Sequence, residues 1–441
     1  MARSSFAVSK SGPVLGWQRL RLALLLGFLA VLSLYAWRTC QFNRSIQTSH
    51  KQLQQEENCK AIETLQENKS RFGDSARVRL LLAQAYRHMG QKETFERQLD
   101  IAQALGLSAE TVQGEKFLFE AQLGLLASPE TQIADYISTS MESNGHDFDD
   151  TARALVFGLL RNQDFEAVQR FLLLWETHSQ NAPWIPTFRG MLHLARRDWK
   201  NALGELEPAL KKHPEFLPLY LQSGIAYQGD QQFELAEAML DRYLQSQPDS
   251  ADALLRYSEA LRKQGKASLA LERIDQILQS SGSQANSIQP ALRLQIAKLY
   301  LDDDENHKVI ETLDGLAKLW PEDVELASTL SQAYQRLGDE QRSASYAAIA
   351  DAGQKETGLA DRMFFELLSN PNRTPQQCFD LGHLLLHKQS RENGIYWLEA
   401  ALKLDENFIP AHRDLALYYE RTDQPLLAAV HKRYFNSPSK P

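Results

Sequence analysis

The sequence predicts an all-α protein: a right-handed superhelical solenoid of helical hairpins, preceded by a single N-terminal transmembrane helix. Three observations carry this expectation. Residues 183–216 and 217–250 align at an offset of 34, placing Gly190 on Gly224, Ala202 on Ala236, Leu206 on Leu240 and Pro214 on Pro248. A fixed period of this length is how a stack of helical hairpins shows itself in a sequence. No sustained period-2 run of Val, Ile and Thr occurs, so strands are not expected. Finally, residues 22–37 (LALLLGFLAVLSLYAW) are apolar and uncharged throughout.

At 441 residues the chain is too long for one ordinary compact core. A solenoid escapes that limit, because each hairpin packs only on its neighbours. The formal net charge is −8, and no Lys/Arg run is interleaved with aromatics. A nucleic-acid partner is therefore not expected. Cys40, Cys59 and Cys378 lie far apart and form no C-x-x-C. That pattern supports neither a zinc site nor a thioredoxin-like motif, and an odd count is poor for a disulfide framework, so idle or buried thiols are expected.

Residues 1–21 form a short basic tail with Arg3, Lys10, Arg19 and Arg21 and no acid. Residues 22–38 read as a transmembrane anchor. Sixteen apolar residues span roughly 24 Å of helix against a bilayer core of about 30 Å, a gap that snorkelling arginines can close. Trp17 and Trp37 sit where an interfacial belt would lie. A cleaved signal peptide has a similar length, but no A-x-A site follows the run, and the uncleaved anchor is the favoured reading. The cations before the run place the amino terminus in the cytoplasm and the rest outside, in a bacterial periplasm or a eukaryotic lumen.

Residues 39–75 read as a polar helical stalk ending in a capping hairpin, with Leu53, Ala61, Ile62 and Leu65 as its thin apolar stripe. The hairpin array follows over residues 76–356. Its units start near 76, 110, 148, 183, 217, 251, 290 and 324, with a Ser/Gly/Asn loop at 279–289 stretching one spacing. Ser128-Pro129 divides the second unit. Residues 357–374 read as an extra helix and a turn at Asn370-Pro371-Asn372, residues 375–435 as a final pair of units, and residues 436–441 as a tail.

The residues in register resemble the tetratricopeptide repeat family. In residues 217–250 the pattern is Leu221 or Tyr220, then Gly224, Tyr227, Ala236, Leu240, Tyr243 and Pro248; in 183–216 it is Gly190, His193, Ala202, Leu206, Ala209 and Pro214; in 290–323 it is Ala297, Tyr300, Val309, Leu313, Leu316 and Pro321. The resemblance covers roughly residues 76–435 and is weakest at 110–143 and 148–181. It makes Gly190, Gly224, Ala202, Ala236 and Ala270 close-approach positions, and Tyr86, Tyr227, Tyr300 and Tyr334 spacers between hairpins. Trp199 is expected to be core for the same reason.

Such a family implies binding of a protein or peptide partner through the concave face, lined by the first helix of each hairpin. By the family's geometry the inner positions are Val156 and Leu159, then Trp184, Thr187, Met191 and Leu194, then Pro218, Leu221 and Ile225. This stretch is apolar and suits an apolar peptide or helix; the alternative is contact with a neighbouring helix. The two-carboxylate clamp of the chaperone-docking subfamily would fall on Thr187, Met191, Gln222, Asp252 and Arg256, of which only Arg256 would serve. The membrane-anchored repeat proteins of lipopolysaccharide assembly carry carboxy-terminal metal-binding cysteines that are absent here.

No nucleophile elbow, P-loop, dinucleotide fingerprint or H-E-x-x-H is present, and the histidines are scattered. Asp302-Asp303-Asp304-Glu305 lacks the ligand ladder of an EF-hand and reads as a solvated turn. The expectation is a non-catalytic, membrane-tethered scaffold with no metal and no cofactor. A receptor or chaperone-like assembly factor and a non-catalytic enzyme subunit are the alternatives.

Overall fold

Helices account for all the regular structure in the computed structural model, which describes residues 14–126, 148–281 and 290–436, apart from positions 163, 180, 249, 369, 371 and 423, together with Gln132 and Tyr136. Side chains of residues 14–31 fall outside this description. So do Ser128-Pro129, most of the 279–289 loop, and the tails. Among the described residues there are 21 helices and no strand. They fall into two compact units, Met1–Ala154 and Leu155–Pro441.

The first unit opens with α1 (Val14–Gln54), one helix of 41 residues. Its end folds against α2 (Asn58–Phe72), and Ile46, Leu53, Ala61 and Leu65 are buried there together with Val78, Leu81 and Leu82 of α3 (Ala76–His88). The end of α1 and α2 thus form a hairpin that packs on α3. Upstream, Leu34, Tyr35 and Trp37 are 66%, 70% and 62% exposed. Among the described residues no helix is long and apolar enough to cross a membrane. The anchor expected at 22–38 is thus not shown, since the side chains of 22–31 lie outside the described residues. α4 (Lys92–Ala104) and α5 (Ala109–Gln122) continue the stack, joined by Phe95 on Phe119 with ring centroids 4.7 Å apart.

α6 (Phe148–Arg161) begins in the first unit and ends in the second. The second unit continues through the pairs α7 (Phe165–His178), α8 (Trp184–Ala195) with α9 (Trp199–Lys212), α10 (Leu217–Gly229) with α11 (Phe233–Leu244), and α12 (Ala251–Lys263) with α13 (Ala267–Ser281). Next come α14 (Pro290–Asp302) with α15 (Asn306–Leu319), and α16 (Val324–Arg336) with α17 (Glu340–Leu368). The chain closes with α18 (Pro375–Lys388), α19 (Arg391–Leu404), α20 (Ile409–Arg421) and α21 (Pro425–Asn436).

Local chemistry explains the helix boundaries. Ser75, Ser108, Asp164, Asp198, Ser250 and Asp323 each accept a hydrogen bond from a backbone N–H two or three residues into the helix that follows, and Thr374 with Gln377 completes a capping box at α18. Inside the hairpins the turn passes through one left-handed residue: Arg197 (φ 55°), Gln231 (φ 63°), Gly265 (φ 74°), Asp304 (φ 61°) and Gly338 (φ 78°). Glycine takes this conformation without a Cβ penalty, which fits its use at 265 and 338.

Packing follows the same period. A Cβ added at Gly190 would lie 2.7 Å from Leu206, and one at Gly224 2.7 Å from Leu240, so the two helices of each hairpin meet where a side chain is missing. Ala202, Ala236 and Ala270 are fully buried, as expected. Trp199 covers Gly229, where a Cβ would come within 2.4 Å of the indole. That supports its reading as a packing residue. All three cysteines are free thiols, with Cys378 buried.

One boundary differs from the sequence reading. The extra helix expected to begin at 357 is the second half of α17, which runs unbroken for 29 residues. Nothing between Glu340 and Leu368 stops a helix: Gly353 and Gly358 weaken it, but the first turn chemistry comes at Asn370.

The tightest approach to a neighbouring backbone is at Gly394, where a Cβ would meet the backbone N of Leu386 at 2.4 Å and its Cα at 2.5 Å. Gly204 has nothing within 4 Å of the same position. Gly394→Ala is expected to destabilise residues 375–404 by about 3 kcal/mol or more. Gly204→Ala should stabilise its helix by about 0.5–1 kcal/mol. Hydrogen exchange of peptides from each helix, read side by side, checks both.

Candidate functional site

The first helices of the hairpins do not present all nine expected partner-binding residues. Val156, Leu159, Trp184 and Thr187 are buried, at 0%, 4%, 8% and 0% exposure. Trp184 is enclosed by aromatic rings: it stacks on Phe188 at 5.0 Å and meets Phe157 and Phe216 edge-on at 5.4 Å and 5.1 Å. The Thr187 hydroxyl donates to the Pro183 carbonyl oxygen at 2.7 Å. These four hold neighbouring hairpins together and offer little to a ligand. Met191, Leu194, Leu221, Ile225 and Arg256 are half-buried, and Arg256 pairs with Asp252 at 3.1 Å. The accessible apolar set is therefore Met191 and Leu194 on α8 with Leu221 and Ile225 on α10.

The second unit also binds itself. Arg197, in the turn after α8, pairs with Asp361 at 3.7 Å and lies over the Phe365 ring at 5.1 Å. Lys403 on α19 donates to Asn162 at 2.5 Å, across 241 residues. The second half of α17 is built for this position, since its other side packs into the α18–α19 core, where Phe364 meets the buried Trp397. Burial is the main influence on both nearby ions, raising Glu399 and lowering Lys403 from their ordinary pKa values.

A buried ionic network crosses the first unit. Arg87, fully buried, donates to Glu115 at 3.0 Å and to Asp150. His88 reaches Asp150 at 2.8 Å and Glu56 at 3.4 Å. Burial alone would push Arg87 down, but the charges of Asp150 and Glu115 outweigh it and raise its pKa. Burial would push Asp150 up, and here Arg87 and His88 outweigh it, leaving the carboxyl well below its usual range. Burial, reinforced by Arg153, lowers His88.

Two further clusters lie in the second unit. The acidic turn at 302–305 is a solvated interhelical turn, as read from sequence. It ties neighbouring hairpins, with Asp302 to Arg262 at 3.2 Å, Asp304 to Arg336 at 3.4 Å and Asp303 to Ser268 at 3.0 Å. The second cluster was missed in the sequence. His383 and His387 stand one turn apart on α18, and Asp414 of α20 approaches His383 Nδ1 at 2.6 Å and His387 Nε2 at 3.9 Å. The Asp414 hydrogen bond raises the His383 pKa, while burial lowers that of His387. The i, i+4 histidine spacing was the available signal. The carboxylate comes from the next hairpin and has no local one.

Comparison with known families fits this geometry. A tetratricopeptide repeat family model matches residues 221–285. Those residues are the stretch in which α10 to α13 form consecutive hairpins, and the chain carries the tetratricopeptide repeat there. A search of curated proteins finds no match. Among solved structures, a tetratricopeptide repeat protein from Parabacteroides merdae is 16% identical over 61% of this chain and 98% of its own, with a TM-score of 0.38. A human IFIT1 dimer with m7Gppp-AAAA is 14% identical over 88% of this chain and 95% of its own, with a TM-score of 0.40. Yeast Tom70 is 10% identical over 91% and 93%, with a TM-score of 0.32. At these values no ligand or partner carries over.

The ionic network makes a stability prediction. Arg87→Met strands two carboxylates and is expected to cost the first unit about 3–5 kcal/mol. Asp150 titrates lower folded than unfolded, so its contribution is present above about pH 4 and is lost as pH falls through its lowered value. His88 is also lowered, so below about pH 6.5 the unfolded chain gains the proton first and stability falls further. The opening free energy of residues 76–122, taken from hydrogen exchange with the intrinsic amide rate at each pH divided out, should fall on acidification from pH 7. An opening free energy that is flat between pH 7 and 5 would contradict the His88 assignment.

Proposed function

We propose that the protein is a non-catalytic interaction scaffold that binds a protein partner through an apolar segment laid against α8 and α10. The observation that carries this reading is the pair of half-buried apolar sets, Met191 with Leu194 and Leu221 with Ile225, on the first helices of successive hairpins. The second set lies in the matched repeat. Half-buried apolar side chains in neighbouring rows suit helix-in-groove or extended-peptide recognition. The internal contacts of the second unit, Arg197 with Asp361 and Lys403 with Asn162, favour one partner over the many unrelated polypeptides a chaperone-like factor would take. We further propose that residues 22–37 tether the scaffold to a membrane, with the repeats on the extracytoplasmic side. The continuous α1 and the exposed Leu34, Tyr35 and Trp37 midway along it support the tether.

A photo-crosslinking residue placed at Met191 in living cells should give one dominant protein adduct. The same probe at Leu235, exposed on α11, should not. A smear of unrelated polypeptides would favour the chaperone-like reading, and adducts confined to this chain would show the apolar face to be self-occupied.

The orientation has its own readout. Cys40 is exposed on α1, whereas Cys378 is buried. In a Cys59→Ser background, a membrane-impermeant maleimide applied to intact cells, with any outer barrier opened, is expected to label Cys40. Labelling only after lysis would reverse the orientation.

A further inference from the structure

We propose that His383, His387 and Asp414 form a divalent transition-metal site, of the zinc class, that bridges α18 and α20. The three side chains offer ligand atoms that all lie within 4.8 Å of one another. The two imidazoles project from one face of α18 a single turn apart, with ring centroids 4.6 Å apart. Two neutral imidazoles and one carboxylate make a donor set that zinc and its neighbours favour over calcium or magnesium. Bonds of about 2.0 Å in tetrahedral geometry separate donors by roughly 3.3 Å. The observed separations of 2.6 Å and 3.9 Å around Asp414 straddle that value.

The surroundings are built rather than incidental. The Thr374–Gln377 capping box fixes the start of α18. Gly382, next to His383, lies against the backbone of α19, where a Cβ would come 2.8 Å from Leu398 N. At the far end Lys388 pairs with Glu322 at 2.7 Å and Glu356 at 3.3 Å, so its charge is compensated beside the site. Arg421, the other nearby cation, is drawn over the Trp320 ring at 5.3 Å. The metal takes the place of the proton shared by His383 Nδ1 and Asp414, and that proton leaves to solvent. His383 is 48% exposed at its side chain, so the fourth position opens to water. Leu384, Leu385 and Leu386 separate the histidines on α18, and the carboxylate comes from α20. The geometry points to a cross-link between the last two hairpins.

The test is zinc titration of the untagged full chain by calorimetry, with cobalt absorption as a second probe. One equivalent per chain is expected, with a cobalt ligand-field spectrum of low coordination number. The equivalent should be lost in His383→Ala, His387→Ala and Asp414→Asn. It should be retained in His431→Ala, which removes the other close histidine pair, His412 Nδ1 to His431 Nδ1 at 2.9 Å. Zinc X-ray absorption on the unaltered chain, expected to show two imidazoles, keeps the test independent of how the variants fold. No zinc bound, or an equivalent that persists without His383 and His387, would overturn the assignment.

Discussion

The stack depends on how closely the two helices of each hairpin can approach. A small residue on the first helix faces an aliphatic residue 16 positions later on the second: Ala83 and Leu99, Gly190 and Leu206, Gly224 and Leu240, Ser258 and Ile274, Ala297 and Leu313, Gly382 and Leu398. All of them are buried. Each such aliphatic side chain contributes about 1.5–3 kcal/mol by leaving water. At Gly190 and Gly224 the small partner contributes by what it lacks, since Leu206 and Leu240 occupy the volume a Cβ would need. Fixing this contact fixes the lengths of both helices and of the turn between them. The left-handed residue of that turn therefore recurs at 197, 231 and 265 and again at 304 and 338, whether it is glycine or not.

Much of this was legible because it is local and periodic. Gly190, Leu206 and their counterparts declare themselves by alignment of the chain with itself, and Gly265 declares its turn. What could not be read depends on residues that meet only after hairpins have stacked. Position within a unit placed Trp184 on the binding face. The enclosing rings of Phe157 and Phe216 come from the hairpins on either side, and only the assembled stack shows that they shut it in. Arg87, Glu115 and Asp150 are likewise unremarkable until three hairpins bring them into one buried network. α17 failed for the opposite reason. Its continuity is local, but the period imposed a break where the backbone has none.

The two units differ in how they hold their polar groups. The first buries full charges, a costly arrangement that stabilises only while every ion keeps its counter-ion. The second keeps most ions at hairpin junctions, as in the 302–305 turn, where exposed pairs each contribute little. It closes instead through α17, whose two sides meet the α18–α19 core and the Arg197 turn. A scaffold built this way presents a preset surface, and a partner that meets it loses less conformational freedom on binding than one that must order a loose array.

The residue immediately after each close-approach position gives that surface its chemistry. Behind Gly190, Gly224 and Gly382 the helix is pinned to its partner, so Met191, Ile225 and His383 must turn outward by the geometry of a 3.6-residue helix. The backbone constraint is the same in all three, while the side chain changes from apolar to metal-ligating toward the carboxyl end. Selection on these outward positions can therefore alter what is bound without touching the contact that holds the hairpin closed. That separation lets one repeat carry an apolar recognition face and a histidine–carboxylate cluster in the same unit.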